Sequence, residues 1–263
     1  MTANGVPCEL LRGPSRGSAT ILYLHGGGFG AGSCRSHAHF AARLAESAGC
    51  EALTVDYRRA PEAVFPAALC DAVAAYKWLL GARDPRSIVL AGDSAGGGIA
   101  LSTLLTARDG GLPLPSCLFM LSPWADLSLS GSSHRALAHL DPLVTTQGLA
   151  RMADAYAGGA SLHDPMISPS LADLSGLPPL LLQVGSAEVL LSDSLAVAQK
   201  AALGGTEVRL EVWADMVHVW PLFHAQLDAG RRALVSAGEW IATQIAPVGP
   251  VMDLPRIAGI KAG

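Results

Sequence analysis

Two short stretches of the chain carry residue types suited to covalent chemistry. The first is Gly92-Asp93-Ser94-Ala95-Gly96, a serine with a glycine two places to either side, set between an apolar run and a helix-like pattern. A strand that becomes a helix through one serine must turn sharply and present the hydroxyl above the sheet. A Cβ at either glycine would collide with the neighbouring strand or helix. The second is His25-Gly26-Gly27-Gly28, closing another apolar run. Three consecutive glycines make poor helix and poor strand, so they suit a place where backbone N–H groups approach something closely. If Ser94 attacks a carbonyl, the charge developing on oxygen needs such donors fixed in advance. Gly27, Gly28 and Ala95 N–H are the expected set, with His25 orienting the loop rather than serving as base. Taken singly, a helix-capping serine, a phosphate-binding turn and a flexible glycine turn remain open. A G-x-x-x-x-G-K-[ST] pattern is absent.

A weakly acidic hydroxyl needs a neutral imidazole within reach, and that imidazole needs a carboxylate behind it. Of eight histidines, His218 lies just past the last strand-like run and before the final helical pattern. His37, His39, His134, His139, His163 and His224 lack that setting and read as surface or helix-face residues. Glu188 follows Gly185 by three residues, in the loop after the preceding strand. Asp193 is the competing acid, one turn later and near a helix start, where aspartate favours the N-terminus. Asp215 is too close in sequence to reach the far side of the ring of His218. The order is then Ser94, Glu188, His218.

These groups need a scaffold that brings distant loops together. Strand-like runs fall at 7–11, 20–24, 51–55, 87–92, 117–121, 180–185 and 208–213, several apolar throughout, as in strands covered on both faces. Helical patterns fall between them at 36–48, 65–80, 95–107, 192–203 and 222–245, with Ala68, Val73, Tyr76 and Leu80 as the buried stripe of the second. The alternation predicts an α/β fold with a mainly parallel central sheet and helices on both faces. Ligands of such sheets bind beyond the carboxyl ends of the strands, where Ser94, Glu188 and His218 all fall.

Composition limits the alternatives. The 263 residues read as a single domain, since no linker or charge run divides them, and 50% of them are hydrophobic against 15% charged. A net charge of −4 offers no basic patch for nucleic acid. The longest uncharged stretch, residues 17–34, is broken by His25 and six glycines and fails as a membrane span. Five scattered cysteines and the lack of a basic-then-apolar leader point to a reducing, cytoplasmic setting. Residues 247–263 have no clear periodicity and are expected to form a loosely attached tail.

The stretches "HGGGF" (25–29), "DYRRAPE" (56–62), "GDSAGG" (92–97), "SPW" with "DLS" (122–128) and "HVW" (218–220) resemble, in order, the bacterial hormone-sensitive-lipase family of carboxylesterases. The resemblance implies an α/β-hydrolase fold, no cofactor or metal, and a small-molecule ester of short to medium acyl chain as substrate. "VGSAEVLLSDS" looks like the branch in which glutamate replaces the commoner aspartate. It further implies that Gly26 and Asp93 support the site and that Asp56, Arg58 and Glu62 brace the oxyanion loop. Only Met1 to Gly5 precede the stretch matching "VPCELL". The front of the family's helical cap is therefore expected to be missing, with residues 126–160 as residual lid. A wider, wetter pocket and an apolar surface favouring self-association would follow. An amidase or deacetylase of the same fold is the rival enzyme. A receptor that keeps the fold without its chemistry and a cap-deficient, weakly active binder are the rivals outside it.

Overall fold

The computed structural model describes residues 1–12 and 19–245. The expected tail at 247–263 lies outside the described residues. An eight-stranded sheet runs through the molecule in the order β1-β2-β4-β3-β5-β6-β7-β8. Its strands are β1 (Thr2–Ala3), β2 (Val6–Leu11), β3 (Thr20–Leu24), β4 (Glu51–Val55), β5 (Ile88–Asp93), β6 (Cys117–Leu121), β7 (Leu180–Gly185) and β8 (Val208–Trp213). β1 and β2 pair antiparallel at one edge, and every pairing from β4 to β8 is parallel. The fold is that of an α/β hydrolase.

Strand geometry sends successive side chains to opposite faces, and two separate cores result. Ile21 and Tyr23 of β3, with Val89 and Ala91 of β5, face a core closed by Phe40 and Leu44 of α1 (Cys34–Ala48) and Ile241 of α7 (Asp228–Gln244). Leu22, Leu24, Ile88 and Leu90 face the other core. It is covered by Tyr76 of α2 (Ala67–Leu80), Leu104 of α3 (Ala95–Asp109) and Val197 of α6 (Leu191–Leu203). Strands β3 to β7 are buried along their whole length, whereas β8, an edge strand carrying Arg209 and Glu211, has no fully buried residue. Edge strands commonly carry charge, which discourages unwanted pairing.

Two expectations need correction. The buried residues of α2 are Ala68, Leu69, Asp71, Ala72, Ala75, Tyr76 and Leu79, while Val73 and Leu80 are only half-buried. The helix is apolar nearly all round, so its periodicity leaves the buried face undetermined. The final helix begins at Asp228, not at 222: Trp220–Phe223 is a separate 3₁₀ turn. Gly230 packs so closely on the Trp220 and His224 backbone that a Cβ there would lie 3.1 Å from each. The chain therefore doubles back at the turn instead of continuing as helix.

Residues 126–160 form a loop and two helices, α4 (Ser133–Ala136) and α5 (Thr146–Ala157). The loop is knotted by Asp126, whose carboxylate accepts from the backbone and hydroxyl of both Ser128 and Ser130. α5 begins at an N-cap, Thr145, whose hydroxyl accepts from Gly148 N at 3.1 Å. Its Tyr156 ring stacks on Phe29 of the glycine loop at 3.8 Å. No helix among the described residues is long and apolar enough to cross a membrane.

Candidate active site

Ser94 stands between β5 and α3 with φ 52° and ψ −124°. Such a backbone is uncommon outside glycine, costs on the order of 1–3 kcal/mol, and persists only where its surroundings enforce it. Here Ser94 N donates to Leu121 O at 2.9 Å and Ser94 O accepts from Trp124 N at 2.9 Å, tying the turn to the end of β6. A Cβ on Gly92 would strike the Gly96 carbonyl, and one on Gly96 would strike the Leu24 and His25 carbonyls. Both glycines are thus required for α3 to start so close to β3.

The loops after β7 and β8 bring Glu188 and His218 to this hydroxyl. They are joined to each other by Ser186 N donating to Trp213 O at 2.9 Å and Ala187 N to Met216 O at 3.1 Å. His218 Nε2 lies 3.0 Å from Ser94 Oγ, and Nδ1 lies 2.8 Å from Glu188 Oε2. A carboxylate only accepts, so Nδ1 carries the proton and the Nε2 lone pair is left for the serine hydroxyl. Glu188 Oε1 accepts from Ser122 Oγ at 2.8 Å and from Gly185 N at 2.5 Å. The Ser122 hydroxyl also accepts from Val219 N at 3.2 Å, linking the acid to the backbone beside the imidazole. Asp141 accepts from Val189 N at 3.0 Å and holds the same loop from outside. Burial is the largest influence on His218 and pulls its pKa down, but hydrogen bonding and attraction from Glu188, with the charges of Asp141 and Asp93, outweigh it. The net result is a pKa raised above the ordinary value.

The glycine loop is anchored through Asp93. Its Oδ1 accepts from Gly26 N at 2.9 Å and from Tyr23 OH at 2.6 Å, and its Oδ2 lies 3.4 Å from His37 Nε2. Burial alone would raise the Asp93 pKa, yet its bonds to His37, Tyr23 and Gly26 bring it below the usual carboxylate value. His25 stacks on Tyr57 at 4.2 Å and donates from Nδ1 to Gly26 O at 2.7 Å, while Tyr57 OH donates to His25 O at 2.6 Å. Gly27 (φ 118°) and Gly28 (φ 59°) follow in conformations that side chains resist. Their N–H groups meet no acceptor among the described residues. Ala95, the first residue of α3, is one of the four N–H groups that a helix start leaves without an intrahelical partner.

Other residues fall elsewhere than expected. Arg58 does not reach the glycine loop: it pairs with Asp71 of α2 at 2.7 Å. Asp56 pairs with Arg59 at 3.0 Å, and it is Arg59 that donates to Gly32 O at 2.9 Å. Glu62 is exposed and makes no ion pair among the described residues. The bracing contacts from this stretch therefore come from Tyr57, Arg59 and the backbone of Ala60, whose N–H donates to Phe29 O at 2.9 Å. Asp193 sits 3.2 Å from His134 and accepts from Ala125 N and Asp126 N, away from His218. Of the histidines expected at surface or helix-face positions, His37 and His134 lie on helices but are buried, and His224 is buried too. Sequence reasoning missed Tyr23, Ser122 and Asp141. Of these only Ser122 stood in a quoted motif, and none has a local pattern that announces its partner.

The model of the α/β-hydrolase fold family matches residues 21–222. The chain is 45% identical to an acetyl-hydrolase of Streptomyces hygroscopicus, covering 92% of this chain and 82% of that one. It is 34% identical to the carboxylesterase NlhH of Mycobacterium tuberculosis, covering 81% and 70%. A crystal structure of an esterase from the bacterial hormone-sensitive lipase family superposes with a TM-score of 0.92 at 44% identity, covering 94% of this chain and 84% of that one. The chain belongs to the α/β-hydrolase fold family, within its hormone-sensitive-lipase branch.

Proposed function

We propose that the protein is a carboxylic-ester hydrolase that cleaves short- to medium-chain acyl esters through an acyl-enzyme on Ser94. The observation that carries this reading is the unbroken relay of 2.8 and 3.0 Å from Glu188 through His218 to a serine held in a strained turn. In the reaction, Ser94 Oγ attacks the ester carbonyl as its proton passes to His218 Nε2. Glu188 holds the ring in the required tautomer and stabilises its cation. Gly27, Gly28 and Ala95 N–H receive the oxyanion, where one donor is typically worth about 10²–10³ in rate. The alcohol departs with the proton from His218. Water then repeats the sequence on the acyl-serine and releases the acid.

The relative named an acetyl-hydrolase supports the short end of the acyl range. That name also favours a second reading, removal of an acetyl group from an amine or hydroxyl of a larger molecule. Five free thiols, four of them buried, support a reducing compartment such as the cytoplasm.

Stopped-flow hydrolysis of p-nitrophenyl esters from acetate to dodecanoate tests the main reading, with p-nitroacetanilide for amide cleavage. A burst of nitrophenol at one equivalent of enzyme is expected for the short esters. Ser94→Ala should lose the burst and lower kcat by about 10⁴–10⁶. Steady turnover surviving that substitution would refute the role of Ser94.

A further inference from the structure

A cavity of about 410 Å³ opens directly beside the glycine loop. Gly28, Gly30 and Pro61 form one wall, and Arg151, Met152 and Ala155 of α5 form the other. The two walls are held together closely. A Cβ on Gly28 would run into the Met152 sulfur, and the Phe29 ring stacks on Tyr156 one turn further along α5. Among the residues lining this cavity Arg151 alone is charged. Its guanidinium is solvent-exposed and makes no ion pair or hydrogen bond among the described residues; even Asp154, one turn on, does not pair with it.

Gly28 thus faces two ways, with its N–H assigned above to the reacting oxygen and its other side on a cavity that ends in an unpaired cation. Ser94 and His218 do not line the cavity, so a substituent of an ester held at the glycine loop would reach it by passing Gly28 and Met152. A substituent a few bonds long and ending in an anion would meet the guanidinium there. We propose that Arg151 is a specificity-determining residue and that the cavity receives an ester substituent terminating in a carboxylate. This rests on the reading of Ser94 and the glycine loop given above and adds to it the class of substrate. Arginine suits the role because its planar fork matches a carboxylate and remains charged at any working pH. In an exposed setting such a pair is weak, so the expected selectivity is about three- to tenfold and sensitive to salt.

The test compares p-nitrophenyl butyrate with mono-p-nitrophenyl glutarate, which share a leaving group and differ by a terminal carboxylate. The quantity read is the ratio of kcat/KM for the glutarate to that for the butyrate, so general damage to a variant cancels. Arg151→Gln should lower the ratio about three- to tenfold and Arg151→Glu about 10–50-fold, chiefly through KM. Raising NaCl from 20 to 500 mM should depress the ratio in the unaltered protein and leave it flat in Arg151→Gln. Equal ratios in all three proteins would overturn the proposal. Calorimetric titration of monomethyl glutarate into the same three proteins, each carrying Ser94→Ala, examines the cavity without turnover. Affinity falling in the order Arg, Gln, Glu supports the site, and equal affinities overturn it. Failure of both esters to turn over in the unaltered protein counts instead against Ser94, and the titration then decides the cavity on its own.

Discussion

In the proposed reaction His218 must be neutral to take a proton from Ser94, yet three carboxylates bias it toward the cation. Glu188 touches it, and Asp141 and Asp93 add charge from further away, together overcoming the desolvation that would keep it neutral. A raised pKa means that the protonated, inactive form persists to higher pH. The acid limb of kcat/KM should therefore have its midpoint above the ordinary histidine value of about 6.5. Asp141→Asn removes one negative charge at the cost of one acceptor oxygen, since Oδ2 holds Val189 N and Oδ1 holds Leu143 N and Val144 N, so that midpoint should move down. A pH–rate series on both proteins checks this, and a profile flat from mildly acidic to neutral pH would discredit His218 as base. Ser94, Glu188 and His218 were legible in the sequence because each follows a strand on the side where ligands bind. Ser122 and Asp141 were not, because their partners lie 66 and 48 residues away and a hydroxyl or carboxylate has no local signature of what it holds. Arg58 and Arg59 show the same limit. Adjacent and chemically identical, they point to different partners, one to α2 and the other to the glycine loop.

The β5–α3 turn is the element on which the site depends most. Its geometry requires the first turn of α3 to press against the carbonyls at the end of β3, which only Gly96 allows. Gly96→Ala should lower stability by about 1–3 kcal/mol or more, since neither the backbone of β3 nor α3 has room to yield. Urea unfolding followed by circular dichroism measures this. A midpoint within error of the unaltered protein would show that the packing is looser than the geometry implies. Five of the seven expected strands match the observed limits, because each is a short run rich in apolar and β-branched residues closed by turn residues, and this holds for the edge strand β8 as well as for strands buried on both faces. Helix faces were harder to read. In α2 an almost continuous apolar surface hides the buried side, and its buried Asp71 is tolerable only because Arg58 arrives from another loop to pair with it.

At the scale of the molecule, the front of the 126–160 segment is tied to the loop after β7 and the start of α6 by hydrogen bonds of Asp126, Ser133 and Asp141, whereas α5 is joined to the glycine loop through aromatic packing. Tyr156 is buried, stacks on Phe29 at 3.8 Å and meets the edge of Phe65 at 6.0 Å. Tyr156→Ala should cost about 3–5 kcal/mol if the cavity stays open. It should also expose residues 126–160 to limited proteolysis before the rest of the chain. Uniform protection across the variant would mean that the segment is held by other contacts. This docking could not be read beforehand, since Phe29 and Tyr156 stand more than a hundred positions apart, and the helical spacing of Leu149, Ala153 and Tyr156 marks a buried face without naming what covers it. The two-residue β1 likewise leaves too little pattern to notice. The parallel sheet itself has a consequence for how the protein comes into being. Ser94 and His218 are separated by 124 positions, and the second is delivered by the loop after β8, at one edge of the sheet and last in chain order among the described strands. A chain emerging from the ribosome therefore carries its hydroxyl long before anything can activate it. On the proposed mechanism, Ser94 has no imidazole to take its proton until β8 and the loop after it are in place.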